Sequence, residues 1–356
     1  MRTLTVNLQE RSYNIYIDSG NLPAMAENLQ QVLKANKVLV VTNFTILNIY
    51  QQELQEILQN FSHTIVLVPD GEEAKTLLEL EKLYTAALSA GLDRKSAIVA
   101  FGGGVVGDVA GFLAATLFRG IGFIQIPTTL LAQVDSSVGG KVAVNHKLGK
   151  NLIGAFYQPQ AVFIDTMFLK TLPLSELKCG LGEVLKYALI KDKEFFQYLS
   201  NHVEQVYALE KETLEEIIAV SCNIKSQIVS EDEKETNVRA ILNFGHTIGH
   251  ALENIIGYGI IKHGEAVSIG MAQALRIAHN LKMLKTADYE AMRELITKYQ
   301  LPQSLPPHIN LEHLLEVAYG DKKTENRLLT FVLTPCIGEA IIEKGFTKEK
   351  ILGLLV

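Results

Sequence analysis

Hydrophobic positions follow two different rhythms along the chain. In the first half, short unbroken apolar runs at Lys37–Thr42, His63–Val68, Ala97–Phe101 and Phe123–Ile126 alternate with helical periodicity at Leu47–Leu58 and Leu77–Ala90. Such runs suit strands buried on both faces, so the alternation predicts a parallel sheet covered by helices. The opening MRTLTVNLQERSYNIYI alternates apolar and polar residues like a strand pair, and Lys141–Asn145 and Ala161–Asp165 are two further strand-like patches. From Ser175 onward the period becomes helical. It runs through KCGLGEVLKYALI, Leu209–Val229, Thr247–Ile256, Gly264–Leu281 and Tyr289–Tyr299, and a strand-like LLTFVLT comes last. The expectation is an α/β domain over 1–173 with a Rossmann-like parallel sheet, followed by an all-α domain over 174–356.

Length and charge narrow the possibilities. A chain of 356 residues is too long for one ordinary core, which agrees with two domains. A net charge of −6 without a basic cluster argues against nucleic acid and acidic membranes, so small molecules are the expected partners. Cys179, Cys222 and Cys336 are odd in number and lack CxxC spacing, which fits unlinked thiols in a reducing cytosol. The N-terminus carries no apolar signal core. Ser96–Phe118 is apolar enough to suggest a membrane span, but its clustered glycines and Asp108 read better as strand, glycine turn and buried helix.

Candidate chemistry gathers at the strand ends. Gly102–Gly107 satisfies GxGxxG between a strand and a helix, the context in which backbone can approach a pyrophosphate. No acidic residue ends the following strand. The loop Asp70-Gly71-Glu72-Glu73-Ala74-Lys75 can supply the ribose partner and would favour NAD over NADP; capping of the helix at Leu77 explains the same carboxylates. The stretch from Ile126 to Asn151, with Asp135, Lys141, Asn145, His146, Lys150 and Asn151, reads as an anion-binding loop or as a merely solvated one.

In the second half, Arg239–Val267 places His246 and His250 four residues apart with Glu253 beside them, and His263 beyond the turn Gly257-Tyr258-Gly259. A catalytic zinc takes three protein ligands and keeps a position open, and His246 and His263 are candidates for two of them. A surface histidine pair is the alternative. Glu183 and Lys186 are charges on an apolar helix and need a partner or a metal. Lys322 and Lys323 beside Asp321 form a basic pair that is equally a solvated turn.

The segments GGGVVGD, PTTLLAQVDSSVGGKVAVNHKLGKNLIGAFYQP, GLGEVLKYALI, NFGHTIGHALE and HGEAVSIGM resemble the diagnostic segments of the 3-dehydroquinate synthases, from about Asp70 to Lys323. The resemblance implies a cytoplasmic homodimer with a dehydroquinate synthase-like fold, NAD, one Zn2+ or Co2+, and an active site between the domains. It implies metal ligation by Glu183, His246 and His263, with His250 facing substrate instead. NAD contacts would come from the 70–75 loop; from Gly103, Gly104, Val105, Val106, Gly107 and Asp108; from Thr128, Thr129, Lys141 and Lys150; and from the turn Phe168, Leu169, Lys170, Thr171. Lys141, Asn151, Lys186, Asn243, His250 and Lys322 would surround the substrate phosphate and hydroxyls. Lys225 and Arg239 would clamp its carboxylate, Arg119 would reach the partner subunit's site, and Asp135 and Glu235 would complete the polar shell. Asn237 stands where many relatives have glycine, and left-handed backbone is expected there.

The implied reaction converts 3-deoxy-D-arabino-heptulosonate 7-phosphate to 3-dehydroquinate by transient oxidation, β-elimination of phosphate, reduction and aldol closure. A polyol dehydrogenase of the glycerol dehydrogenase type would need no phosphate cage. A sibling sugar phosphate cyclase would need no carboxylate clamp, and a non-catalytic scaffold would need neither.

Overall fold

A computed structural model describes residues 1–257, 260–320 and 328–355. The chain forms two compact units, Met1–Leu172 with Leu214–Lys234, and Pro173–Thr213 with Glu235–Val356.

The first unit contains β1 (Arg2–Val6), β2 (Tyr13–Asp18), α1 (Leu22–Val32), β3 (Val38–Asn43), α2 (Phe44–Ile57), β4 (His63–Val68), α3 (Leu77–Ser89), β5 (Ala97–Gly102), α4 (Gly104–Thr116), β6 (Gly122–Pro127), β7 (Lys141–His146), β8 (Gly149–Phe156) and β9 (Ala161–Asp165). Seven strands make one sheet in the order β1-β2-β9-β6-β5-β3-β4. Only β1 is antiparallel to its neighbour. The central strands are apolar at nearly every position because both faces are covered. Leu39, Val41, Ile98 and Ala100 face the core made with α3 and α4. Val38, Val40, Val99 and Phe101 face the core made with α1 and α2. From β3 the chain moves outward to β4 and then returns to β5 on β3's other side, so the sheet reverses direction between β3 and β5. Crevices at such reversals, beyond the carboxyl ends of the strands, are where open α/β sheets bind ligands.

Within Ile126–Asn151, which reads mainly as a loop, the strand-like patch Lys141–Asn145 is indeed a strand, β7, and the rest is more ordered than its composition suggests. A single π-turn, Ala132–Ser136, is followed by the hairpin β7–β8, in which His146 faces Gly149 across a two-residue turn. β8 alternates partly buried and exposed positions, so its side chains gave no apolar rhythm.

The second unit begins with α5 (Leu174–Lys191), α6 (Lys193–Asn201) and α7 (Val203–Tyr207), and it includes α9 (His246–Ile256), α10 (His263–Asn280), α11 (Thr286–Lys298) and α12 (Leu311–Gly320). The hairpin β10 (Leu329–Cys336) and β11 (Glu339–Phe346) and helix α13 (Lys348–Leu355) complete it. It is therefore helical with one added two-stranded sheet, to which LLTFVLT contributes. Between α7 and α9 lies α8 (Lys211–Glu231), which groups with the first unit from Leu214 on, in contrast to the single second domain over 174–356 that the helical periodicity predicts. No described helix is long and apolar enough to cross a membrane.

Candidate active site

In the first unit, four parallel strands, with β3 between two of them, deliver the candidate nucleotide residues to one end of the sheet. Asp70–Lys75 follow β4, Gly103–Asp108 follow β5, Thr128 and Thr129 follow β6, and Phe168–Thr171 follow β9. The glycines have packing reasons of their own. A Cβ on Gly104 would lie 2.8 Å from Ser136 Oγ, and one on Gly107 would lie 2.7 Å from Gln125 Oε1. These contacts let α4 start close against the segment that follows β6. Thr128 Oγ1 is buried there without a hydrogen-bond partner among the described residues. It is the kind of atom that an incoming hydroxyl or phosphate oxygen would satisfy.

The acidic loop does not cap α3. Thr76 does, its hydroxyl accepting from Glu79 N–H at 3.1 Å. Glu72 instead accepts from Asn145 Nδ2 at 2.8 Å and faces Lys150 at 3.5 Å, while Asp70 accepts from Thr45 at 3.0 Å. Lys75, buried, donates to Asp108 Oδ2 and to Asn151 Oδ1, both at 2.5 Å. Asn151 adopts φ +53°, and its N–H donates to Asn145 Oδ1 at 3.0 Å. Asn145 thus ties the 70–75 turn to the hairpin, a role its sequence context did not signal. Burial raises the Asp108 carboxyl above its ordinary value, and Lys75 offsets only part of that rise.

Lys75→Ala should therefore destabilise the protein by about 2 kcal/mol at neutral pH, because a carboxylate with little access to water loses its counterion. The variant raises the folded-state pKa of Asp108 further above its unfolded value. Stability should then be least affected near pH 4 and fall as pH rises, a trend that thermal melts across pH would detect. A pH-independent difference from the parent would contradict it.

Several other candidates are core residues. Ala74, Val106, Phe168 and Leu169 are buried, so Phe168 and Leu169 can offer a ligand only backbone. Tyr50 OH binds the Phe168 carbonyl at 3.0 Å and Thr171 Oγ1 at 2.5 Å. Val105 is partly buried, and Gly71, Glu73, Lys141 and Lys170 are exposed. Lys225, on α8, donates to Asp135 Oδ1 at 2.6 Å and to its carbonyl at 2.7 Å, bracing the π-turn. Arg119 is exposed in the middle of three successive positive-φ positions, between Phe118 and Gly120.

In the second unit three helices bring Glu183, His246 and His263 together, with one ligand atom from each lying within 4.8 Å of the others. Each residue stands next to a glycine at a helix crossing. A Cβ on Gly182 would meet Gly264 O at 2.6 Å, one on Gly264 would meet Cys179 O at 2.0 Å, and one on Gly245 would meet Val267 O at 2.6 Å. The missing side chains let α5, α9 and α10 approach backbone to backbone, and the functional groups follow. Glu183 Oε1 lies 3.6 Å from His246 Nε2 and 3.4 Å from His263 Nε2. The other carboxylate oxygen of Glu183 pairs with buried Lys186, one turn on.

Burial, reinforced by the Lys186 charge, holds His246 well below the usual imidazole range, so its neutral form prevails. Burial acts the same way on His263, but the hydrogen bonds and charges of Glu183 and Glu253 outweigh it and lift that imidazole to about 10. His250 is exposed and belongs to a second overlapping group with Glu253 and His263. Arg239 is buried, and Asn243 donates to Glu235 at 2.7 Å. Asn237 departs from expectation: its φ is −151°, and the left-handed residue is Glu235 at φ +56°. Lys322 and Lys323 lie outside the described residues.

A covered parallel sheet with a glycine turn beside its point of reversal, and a helical unit with a carboxylate–imidazole cluster, define a class of two-unit α/β-plus-helical enzymes. Within that class the chain belongs to the 3-dehydroquinate synthase family. Models described as 3-dehydroquinate synthase N-terminal and C-terminal match residues 65–179 and 180–324. A 3-dehydroquinate synthase from Desulforamulus reducens is 47% identical, over 100% of this chain and 99% of its own. Among solved structures, a 2-deoxy-scyllo-inosose synthase complexed with carbaglucose-6-phosphate, NAD+ and Co2+ is 30% identical, with a TM-score of 0.88 over 99% of each chain. A 2-epi-5-epi-valiolone synthase from Streptomyces hygroscopicus with NAD+ and Zn2+ bound is 26% identical, with a TM-score of 0.88 over 98% of this chain and 97% of that one.

Proposed function

We propose that this chain converts 3-deoxy-D-arabino-heptulosonate 7-phosphate to 3-dehydroquinate and phosphate, a lyase step of the shikimate pathway, with bound NAD and one Zn2+ or Co2+. The observation that carries this reading is the cluster of Glu183, His246 and His263. One carboxylate and two imidazoles are a donor set for a catalytic divalent ion with an open position. Two carboxylates converging on His263 call for positive charge between them, which a proton on the ring supplies in the metal-free cluster and a divalent ion on Nε2 would supply in its place. For NAD, the glycine turn at the end of β5, the buried Thr128 hydroxyl and the carboxylates of the 70–75 turn support binding.

When bound, NAD takes up a hydride and returns it, and the metal acts as a Lewis acid toward the oxygen being oxidised. The chain's own side chains bind and orient the substrate. Lys141, Asn151, Lys186, Asn243, His250 and Lys322 are assigned to phosphate and hydroxyls, and Lys225 and Arg239 to the carboxylate. Asp135 aims Lys225 and Glu235 aims Asn243 through the hydrogen bonds described above. His250 positions the phosphate or carries a proton, and the phosphate itself removes the proton that elimination requires. NAD binding is assigned to 1–173 and metal and substrate binding to 174–356, with Lys225 on the stretch of α8 that groups with the first unit. The enzyme is proposed to work in the cytoplasm as a homodimer, with exposed Arg119 reaching the partner's site.

Incubation with the seven-carbon substrate and trace NAD tests the reading. Phosphate release should exceed the NAD supplied by at least about tenfold, without lasting NADH absorbance, and a chelator should abolish it. Accumulation of NADH in step with product would mark a dehydrogenase. Turnover of glucose 6-phosphate, which has no carboxylate, would mark a sibling cyclase.

A further inference from the structure

The cluster contains one more carboxylate. Glu253 lies on α9 at i+7 from His246 and i+3 from His250, so all three share a helix face. It is buried, and its Oε2 lies 3.2 Å from Nδ1 of His263, across the crossing of α9 and α10. The opposite ring nitrogen, Nε2, lies 3.4 Å from Glu183 Oε1. The imidazole of His263 is thus engaged along its length, one nitrogen toward each carboxylate. A neutral imidazole carries its hydrogen on one nitrogen and its lone pair on the other.

We propose that Glu253 is the positioning residue for His263: it accepts Nδ1–H, fixes that tautomer and presents the Nε2 lone pair to the metal. A ring turned over would set a carbon against the Glu253 carboxylate and lose the hydrogen bond. Carboxylates that hold a ligating histidine in this way orient the ring and raise its basicity. The inference rests on the metal-binding reading of Glu183, His246 and His263. It adds to that reading a group that touches neither metal nor substrate, and it explains why a buried carboxylate stands against the Nδ1 side of His263.

The test is titration of the metal-stripped, full-length enzyme with Co2+, following the visible band of the bound ion and measuring affinity by competition with a chelator. Glu253→Ala should weaken Co2+ binding by about 10- to 100-fold and alter the band. Glu253→Gln, which keeps an acceptor of the same length, should lose less and recover a band closer to the parent's. NAD affinity, measured by calorimetry as a check on folding, should stay within about twofold of the parent. Should Glu253→Ala fail to fold, the glutamine variant carries the test, and parent-like affinity together with a parent-like band overturns the proposal. His263→Ala separates the two layers. If it binds Co2+ as the parent does, the metal reading itself is wrong and Glu253's role falls with it. If it loses the ion while the Glu253 variants match the parent, only the positioning role is overturned.

Discussion

Replacing Glu183 by Gln should leave a folded protein that purifies without stoichiometric metal and turns over at least about 10³-fold more slowly. The substitution keeps the volume of a fully buried side chain and removes its charge. His246 and His263 alone would then offer two neutral donors, one fewer than a catalytic divalent site requires. A metal's contribution of several kcal/mol to stabilising developing charge corresponds to about three decades of rate at roughly 1.4 kcal/mol each. Lys186 adds a second consequence. It is buried against Glu183 and would keep its ammonium without the carboxylate, at a cost of about 3–5 kcal/mol if the charge is retained. Metal content by elemental analysis, turnover by phosphate release and a thermal melt read these effects separately. Stoichiometric zinc with near-parental turnover in the variant would remove Glu183 from the metal site.

The strands of the central sheet were legible because burial on both faces leaves nothing but apolar residues, as in Val38–Val41 and Ala97–Phe101. The turn into α4 was legible because its glycines do two things that other residues cannot, approaching Ser136 and approaching Gln125. α1 went unread although Asn21 caps it, Pro23 opens it and Leu22, Met25, Ala26 and Leu29 form its buried stripe. Its signals were present but short. β8 was hidden for the opposite reason: glycine and polar residues on a partly exposed strand look like loop until β7 lies beside them. The grouping of Leu214–Lys234 with the first unit is a tertiary fact, and helical periodicity within α8 carries no mark of the partner it packs on.

Spacing alone could not decide among the histidines. His246 and His250 share a face of α9, and only the approach of α5 and α10 distinguishes the residue near Glu183 from the exposed one. Nor could spacing find Glu253's contact with His263, which depends on the crossing angle of two helices. Glu183 and Lys186 were visible as charges in an apolar helix, and their pairing gives that oddity a cause. Left-handed backbone at Glu235 had no sequence cue, and at Asn151 the only cue was the residue type, the same one that misleads at Asn237. Such conformations persist where the surrounding structure over-determines them, and Asn151 is held by Lys75 and Asn145.

Gly264→Ala should be damaging out of proportion to its size, because the added methyl has nowhere to go. Its Cβ would stand 2.0 Å from Cys179 O and 2.8 Å from Cys179 Cα, and backbone atoms cannot rotate aside. α10 must move away from α5 by on the order of 1 Å, breaking the hydrogen bond from Gly264 N–H to Cys179 Sγ. His263 is the preceding residue and Glu183 lies on the opposed helix, so the same displacement spreads the cluster of Glu183, His246 and His263 proposed to hold the metal. Metal–ligand distances tolerate only about 0.2 Å. The variant should lose about 2–3 kcal/mol of stability to overpacking and at least about 100-fold in metal affinity and in turnover. Gly353→Ala is the control, since its Cβ meets nothing within 4 Å and it sits in α13, where alanine is the better helix former. That variant should melt at or slightly above the parent's temperature with unchanged metal content. Parent-like metal binding in Gly264→Ala would show that the α5–α10 approach does not set the geometry of the cluster.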